Sequence, residues 1–264
     1  MLAAAERDTR KAGTIWALNL DWSLPEVEPL VPARFRQAGP DSARLLAAAM
    51  GLEDPAEVVR RFEAGRRCYT AWVDGELASY GWVSFDDELV GELNLRLRLV
   101  PGEAYIWDCA TLPDFRQKRL YSALLGFILA ELQTDPLCRA WIGANQDNLA
   151  SQRGIAHAGF RRVGDLLVER ALGLRLVRVQ GQRDVPEHLV ADARRVFLSD
   201  RDRPWREALA TFRRSCAVRP GAHGGIKYQP THPSKVGGES PRWADVPGCG
   251  SLYHVVDPGK PLAY

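Results

Sequence analysis

CATLPDFRQKRLYSALLGFILAEL, residues 109–132, is the stretch on which the fold turns. It closes a strand-forming run, Ala104–Leu112, with Pro113-Asp114-Phe115, and then enters a long apolar helix that continues to Leu132. Between the two lies a basic knot, Arg116 to Arg119. A strand that stops, turns and starts a helix presents consecutive backbone N–H groups at the helix N-terminus, a ready site for an anion such as a diphosphate. Arg116, Lys118 and Arg119 place three positive charges at the same spot.

Working outward, Ile15–Asn19 reads as a short strand behind a loose terminus at residues 1–13. Residues 25–40 carry four prolines and read as a connection. Asp41-Ser42 opens a helix that runs to Met50 and is stopped by Gly51. The next helix carries clear signals: Asp54 as N-cap, Pro55 in the first turn, Glu57 completing a capping box and Gly65 at the end. Val58, Val59 and Phe62 form its apolar stripe. Cys68–Val73 and Leu77–Phe85 flank Asp74-Gly75, the strongest short-range hairpin signal. Leu93–Leu99 alternates as a half-buried strand does. After the central helix come a strand at Arg139–Ala144, a helix at Asn148–Ala158 ended by Gly159, and strands at Phe160–Arg170 and Leu174–Val179. The expectation is an α/β chain with a mixed, twisted sheet flanked by helices over residues 13–180, followed by a C-terminal appendage at 181–264. That appendage begins with two Arg-rich helices, near Glu187–Leu198 and Pro204–Cys216. Their interleaved acids give a solvated, salt-bridged face rather than a nucleic-acid surface. Of the 45 residues from 220 to 264, 15 are Gly or Pro, so extended chain is expected there.

Composition narrows the class. Of 264 residues, 46% are hydrophobic and 26% charged, which excludes collagen-like and largely disordered chains. Net charge is +2, too small to argue for nucleic acid. No run approaches the roughly 20 apolar residues of a membrane helix, and the first residues lack the features of a secretory leader. The five cysteines are scattered without a Cys-x-x-Cys pair and read as reduced thiols in the cytoplasm. His223, His232, Cys249 and His254 match no zinc spacing, so no metal is expected.

The central stretch resembles the acyl-CoA loop of the GNAT superfamily of N-acetyltransferases. That loop reads Arg/Gln-x-x-Gly-x-Gly/Ala after a strand ending near Pro, and this chain offers Arg116-Gln117-Lys118-Arg119-Leu120-Tyr121. A second block of the family, Asn-x-x-Ser with a helix ending Gly-Phe, is matched by Asn148, Ser151, Gly159 and Phe160. The resemblance implies an acyl-CoA co-substrate whose pantetheine arm lies along Cys109, Ala110 and Thr111. Its diphosphate would rest on the N–H groups of Gln117 to Tyr121, with Ser151 beside the arm and Asn148 either reaching it or capping its own helix. Both loop glycines are replaced, by Arg119 and Tyr121. Glycine there gives positive φ and close backbone approach, so Arg119 must contact a phosphate or spoil the loop.

The resemblance also implies direct attack of an amine on the thioester, with a base for the ammonium proton and an acid for the leaving thiolate. The usual base sits on the parity of Tyr105, Trp107, Cys109 and Thr111, where no carboxylate or His stands. Asp108 is one residue out of phase and is expected to face away. The usual acid position, seven residues after Asn148, is Ile155. Tyr105 is the remaining catalytic candidate, and Cys109 reads as a small buried residue. Three functions follow from the resemblance. The first is acetyl transfer from acetyl-CoA to a small-molecule or peptide amine. The second is long-chain acyl transfer from an acidic acyl carrier protein to an amino acid. The third is a CoA-binding interaction module without catalysis.

Overall fold

The computed structural model describes residues 8–90, 95–171 and 174–198. Ten strands and five helices are assigned there: β1 (Asp8–Asn19), β2 (Arg34–Ala38), α1 (Ala43–Met50), α2 (Pro55–Glu63), β3 (Arg67–Val73), β4 (Glu76–Ser84), β5 (Glu88–Val90), β6 (Leu95–Leu97), β7 (Glu103–Thr111), α3 (Leu120–Leu132), β8 (Arg139–Asn145), α4 (Leu149–His157), β9 (Arg161–Ala171), β10 (Leu174–Gly181) and α5 (Glu187–Phe197). Eight strands form one sheet in the order β10-β9-β1-β8-β7-β4-β3-β2, and β5 pairs with β6. Every pairing is antiparallel except β7 with β8. Two parallel neighbours need a crossover rather than a hairpin, and α3 is that crossover.

The local signals act as their chemistry requires. Asp74 and Gly75 take φ of 50° and 85°, the left-handed pair of a two-residue hairpin, and join β3 to β4. Asp54 accepts the Ala56 N–H at 2.8 Å, and Gly51 closes α1 at φ 70°. The Glu57 carboxylate pairs with Arg61 one turn on.

Helices α1 and α2 cover β2–β4 through Leu46, Val58, Cys68, Tyr80 and Trp82. On the same side as Tyr105, α5 covers the β9–β10 half through Leu189, Val190, Ala193, Val196 and Phe197. The opposite face packs on α3 and α4 through Ile106, Ile142, Leu124, Ile128 and Ile155. Helix α3 has eight buried residues because it is enclosed on its outer side too. The proline-rich segment crosses it: Leu30 N–H donates to Lys118 O at 2.9 Å, and Gln133 Nε2 donates to Leu20 O and Trp22 O at 2.8 Å each.

Four expectations change. The terminus is already strand from Asp8, pairing β1 with β9. The proline-rich connection ends in the edge strand β2, whose outer side needs no N–H ladder. Cys138 is disulfide-bonded, so the expected reduced thiols are found at Cys68 and Cys109 among the described residues. Helix α5 belongs to the layer that covers the sheet. The helix expected near 204–216, the Gly/Pro-rich stretch and the tail histidines lie outside the described residues.

Candidate active site

Strand β7 pairs with β8 only from Glu103↔Arg139 to Ile106↔Ile142. Beyond that point each strand stays with its other neighbour. β7 follows β4 to Thr111↔Ser79, and β8 follows β1 to Asn145↔Gly13. The inner edges therefore part. A cavity of about 400 Å³ occupies the gap, lined on the α3–α4 side by Cys109, Tyr121, Ala144, Asn148 and Ser151, and on the α5 side by Tyr105, Trp107, Asp108, Leu97 and Phe197. It joins the two faces of the sheet.

On the α3–α4 side the loop keeps the backbone that glycine would supply. Arg119 is the N-cap of α3 at φ 56°, and Gln117 has φ 63°. The left-handed geometry costs a non-glycine residue about 1 kcal/mol, and it leads directly into the first turn of α3, where helix N–H groups have no intrahelical acceptor. Arg116 Nε donates to Thr111 O at 3.3 Å and Lys118 Nζ to Asp114 O at 3.0 Å, so both cations brace the loop and stay near it. Arg116, Gln117 and Arg119 are exposed. Tyr121 does not take the place of the second glycine at the surface. Its ring lies against Gly154, where a Cβ would fall 2.4 Å from Tyr121 Cδ1, and its hydroxyl meets Ser151 Oγ at 3.1 Å. Burial holds that hydroxyl well above the ordinary tyrosine range. Asn148 caps α4 by accepting the Ser151 N–H at 3.0 Å. Cys109 packs under Gly81 with its thiol pushed up by desolvation, so it is a filler and not a thiolate.

On the α5 side the expected parity fails. Asp108 has φ 43°, and the β4–β7 register shifts between Tyr80↔Ala110 and Trp82↔Trp107. This is a bulge: one extra residue reverses the alternation after it. Asp108 joins Trp107 on the α2 face, while Cys109 turns to α3. The Asp108 carboxylate is 33% exposed, lines the cavity and lies 2.5 Å from Arg61 Nη1. Arg61 also reaches Glu57 at 3.4 Å and stacks over Trp107 at 4.7 Å. A second carboxylate, Glu88, is buried in the same lining. It accepts Arg66 Nε and Nη2 at 2.6 and 2.8 Å, Ser84 Oγ at 2.5 Å and the Leu89 N–H at 3.0 Å. Trp107 Nε1 donates to Ser84 Oγ at 2.8 Å, which fixes the indole. Tyr105 is buried edge-on against Phe197 at 5.9 Å.

Tyr105, Cys109, Tyr121, Asn148 and Ser151 are thus brought to one cavity, while Ala110, Thr111 and residues 116–120 are not part of its lining. Asp108 and Glu88 were missed. Strict two-residue alternation hides a bulge, although an Asp inside an aromatic strand was a cue, since Asp enters the left-handed region more readily than most residues. Among the described residues, no group of three or more His, Cys, Asp or Glu side chains could hold a metal ion, and no helix is long and apolar enough to cross a membrane.

The parallel pair β7–β8 thus parts beside the first turn of α3. Residues 40–160 match the family model described as the acetyltransferase (GNAT) family, and this part of the chain is a GNAT domain. Among solved structures, the chain is similar to a GNAT-family acetyltransferase from Colwellia psychrerythraea, with 16% identity over 66% of this chain and 57% of that one at a TM-score of 0.44. A GNAT-family protein from Novosphingobium aromaticivorans has 18% identity over 59% of this chain and 62% of its own, at a TM-score of 0.41. A tandem GNAT protein from the clavulanic acid biosynthesis pathway has 21% identity over 64% of this chain and 56% of its own, at 0.44. The chain therefore spans between half and two thirds of these relatives' lengths. No curated protein matches it in sequence.

Proposed function

We propose that the protein transfers an acetyl group from acetyl-CoA to a primary amine. The observation that carries this reading is the parting of β7 from β8 after Ile106 and Ile142, which opens a cavity that runs from Tyr121, in the first turn of α3, to Asp108. The left-handed residues Gln117 and Arg119 fit a pyrophosphate on the first turn of α3, because they give an L-residue loop the shape of a glycine one. Arg116, Lys118 and Arg119 supply the balancing charge. Acetyl-CoA, when bound, supplies the activated carbonyl.

In this reading the pantetheine arm lies along Cys109 to Thr111, beside Asn148 and Ser151. Backbone N–H groups near Ala110 stabilise the developing oxyanion. The amine nitrogen forms a bond to the carbonyl carbon as the C–S bond breaks, and the sulfur leaves as thiolate. Asp108, presented by the bulge, takes the ammonium proton directly or through water. Its Arg61 partner fixes the carboxylate in place. Tyr105, the residue expected to act, is packed between β8 and Phe197 and shapes the wall.

The test measures acetyl-CoA binding by calorimetry and free thiol release with amines. Asp108→Asn is expected to lower kcat by about 100-fold or more with acetyl-CoA affinity unchanged. Arg116→Ala combined with Lys118→Ala is expected to weaken acetyl-CoA binding. No binding at millimolar acetyl-CoA would sink the reading.

A further inference from the structure

Resting on that reading, we infer that the acceptor is an amine carried on an apolar body without an acidic group. The wall beyond the splay decides it. Ile15, Leu89, Leu97, Leu166 and Phe197 surround the α5 side of the cavity, with the rings of Tyr105 and Trp107. Among the described lining residues there is no Lys, Arg or His. The charged side chains among them are carboxylates, Asp108 and Glu88. Glu88 is saturated by Arg66, Ser84 and the Leu89 N–H, so it holds Trp107 in place instead of meeting a ligand. Asp108 keeps a third of its side chain open.

The local charge has a sign. The two lining carboxylates, Asp108 and Glu88, are each paired with a guanidinium, Arg61 and Arg66, that is not itself part of the lining. Carboxylate is thus the charged surface the cavity presents, and an ammonium group sits at the open side of Asp108. A carboxylate or phosphate on the acceptor would face Asp108 with no cation among the described lining residues to pair with, a costly desolvation without a partner. On the α5 side the acceptor body meets mostly aliphatic and aromatic side chains, with Thr14 and Asn145 as neutral polar neighbours, and burial of apolar area there is favourable. The space that a long acyl chain would need is the same space, so the inference also assigns a short acyl group.

The experiment compares 2-phenylethylamine with L-phenylalanine, which share a ring and differ by the carboxylate, using acetyl-CoA and the thiol-release assay. The expected ratio of kcat/KM is roughly 100-fold or more in favour of 2-phenylethylamine. Leu89 is 57% exposed at the mouth of the cleft. Leu89→Arg should therefore fold normally and narrow that ratio about tenfold by supplying the missing cation. Acetyl-CoA affinity is measured in parallel. Loss of that affinity in the unmodified protein counts against the acetyltransferase reading. With acetyl-CoA bound, equal or better use of L-phenylalanine overturns the inference. So does inactivity toward apolar amines, or faster turnover with decanoyl-CoA than with acetyl-CoA.

Discussion

Arg119 is where a single residue carries both a conformational cost and a charge. It sits at φ 56° in the position the family fills with glycine. Arg119→Gly is expected to stabilise the fold by roughly 0.5–1 kcal/mol, because glycine adopts that geometry without steric penalty. If the proposed diphosphate site is right, the same change should weaken acetyl-CoA binding about tenfold, by removing a guanidinium placed to pair with a phosphate. A thermal melt and a calorimetric titration read the two effects separately, and an unchanged affinity would mean the guanidinium points elsewhere. Cys68 makes a different statement. Burial lifts its thiol from the ordinary 9.0 to about 12, and Tyr80 beside it from 10.0 to about 12. The folded state therefore holds these protons more tightly than the unfolded chain does. The stability they contribute is complete below pH 9 and is lost as pH rises toward 12. Denaturation midpoints should fall steadily across that window, and Cys68→Ala should flatten the lower part of the decline. A flat profile from pH 9 to 11 in the unmodified protein would contradict the burial of these groups.

Elements are positioned by a few close approaches, and the tightest is between α3 and α4. Gly154 leaves room for the Tyr121 ring, and the Tyr121–Ser151 contact ties the two helices beside the cleft. Gly154→Ala forces that ring aside and is expected to cost about 1–3 kcal/mol. Acetyl-CoA affinity should fall with it, because Asn148 and Ser151 move with α4. A variant with unchanged melting temperature would show that the ring has freedom to spare. How far the elements could be read beforehand depended on whether their signals are local. Asp74-Gly75, Asp54-Pro55 and Gly51 are decided within a few residues, and the hairpin and both helices stand where those residues put them. The bulge at Asp108 is decided by the pairing of β7 with β4, a contact about thirty residues away. Within the strand the one cue is Asp108 itself, and strict alternation turned it away from Tyr105 and Trp107. Strand β2 was hidden for a related reason. Its prolines flank it rather than interrupt it, and an edge strand tolerates them.

At the scale of the whole molecule, the two halves of the sheet are held apart at one end and locked at the other. The locked end is ionic. Arg139, 1% exposed, donates to Asn19 Oδ1 at 2.9 Å and to Asp192 Oδ2 at 2.7 Å, while Arg195 holds the buried Glu103 at 2.7 and 3.1 Å. Asp192 and Arg195 lie on α5, and Glu103 and Arg139 face each other at the start of the β7–β8 pairing. Helix α5 thus clamps the closed end of the pair whose open end is the cleft. It also brings Phe197 to the cavity wall, so the segment after β10 contributes to the site as well as to the core. Arg195→Ala leaves the Glu103 carboxylate buried without its partner, and the expected cost is about 1–3 kcal/mol. Because Phe197 depends on the same helix, the loss should appear in function as a raised KM for the amine with little change in acetyl-CoA affinity. Faster proteolysis within residues 182–198 should accompany it. If acetyl-CoA affinity falls and the amine KM does not, α5 supports the α3 loop and not the acceptor wall.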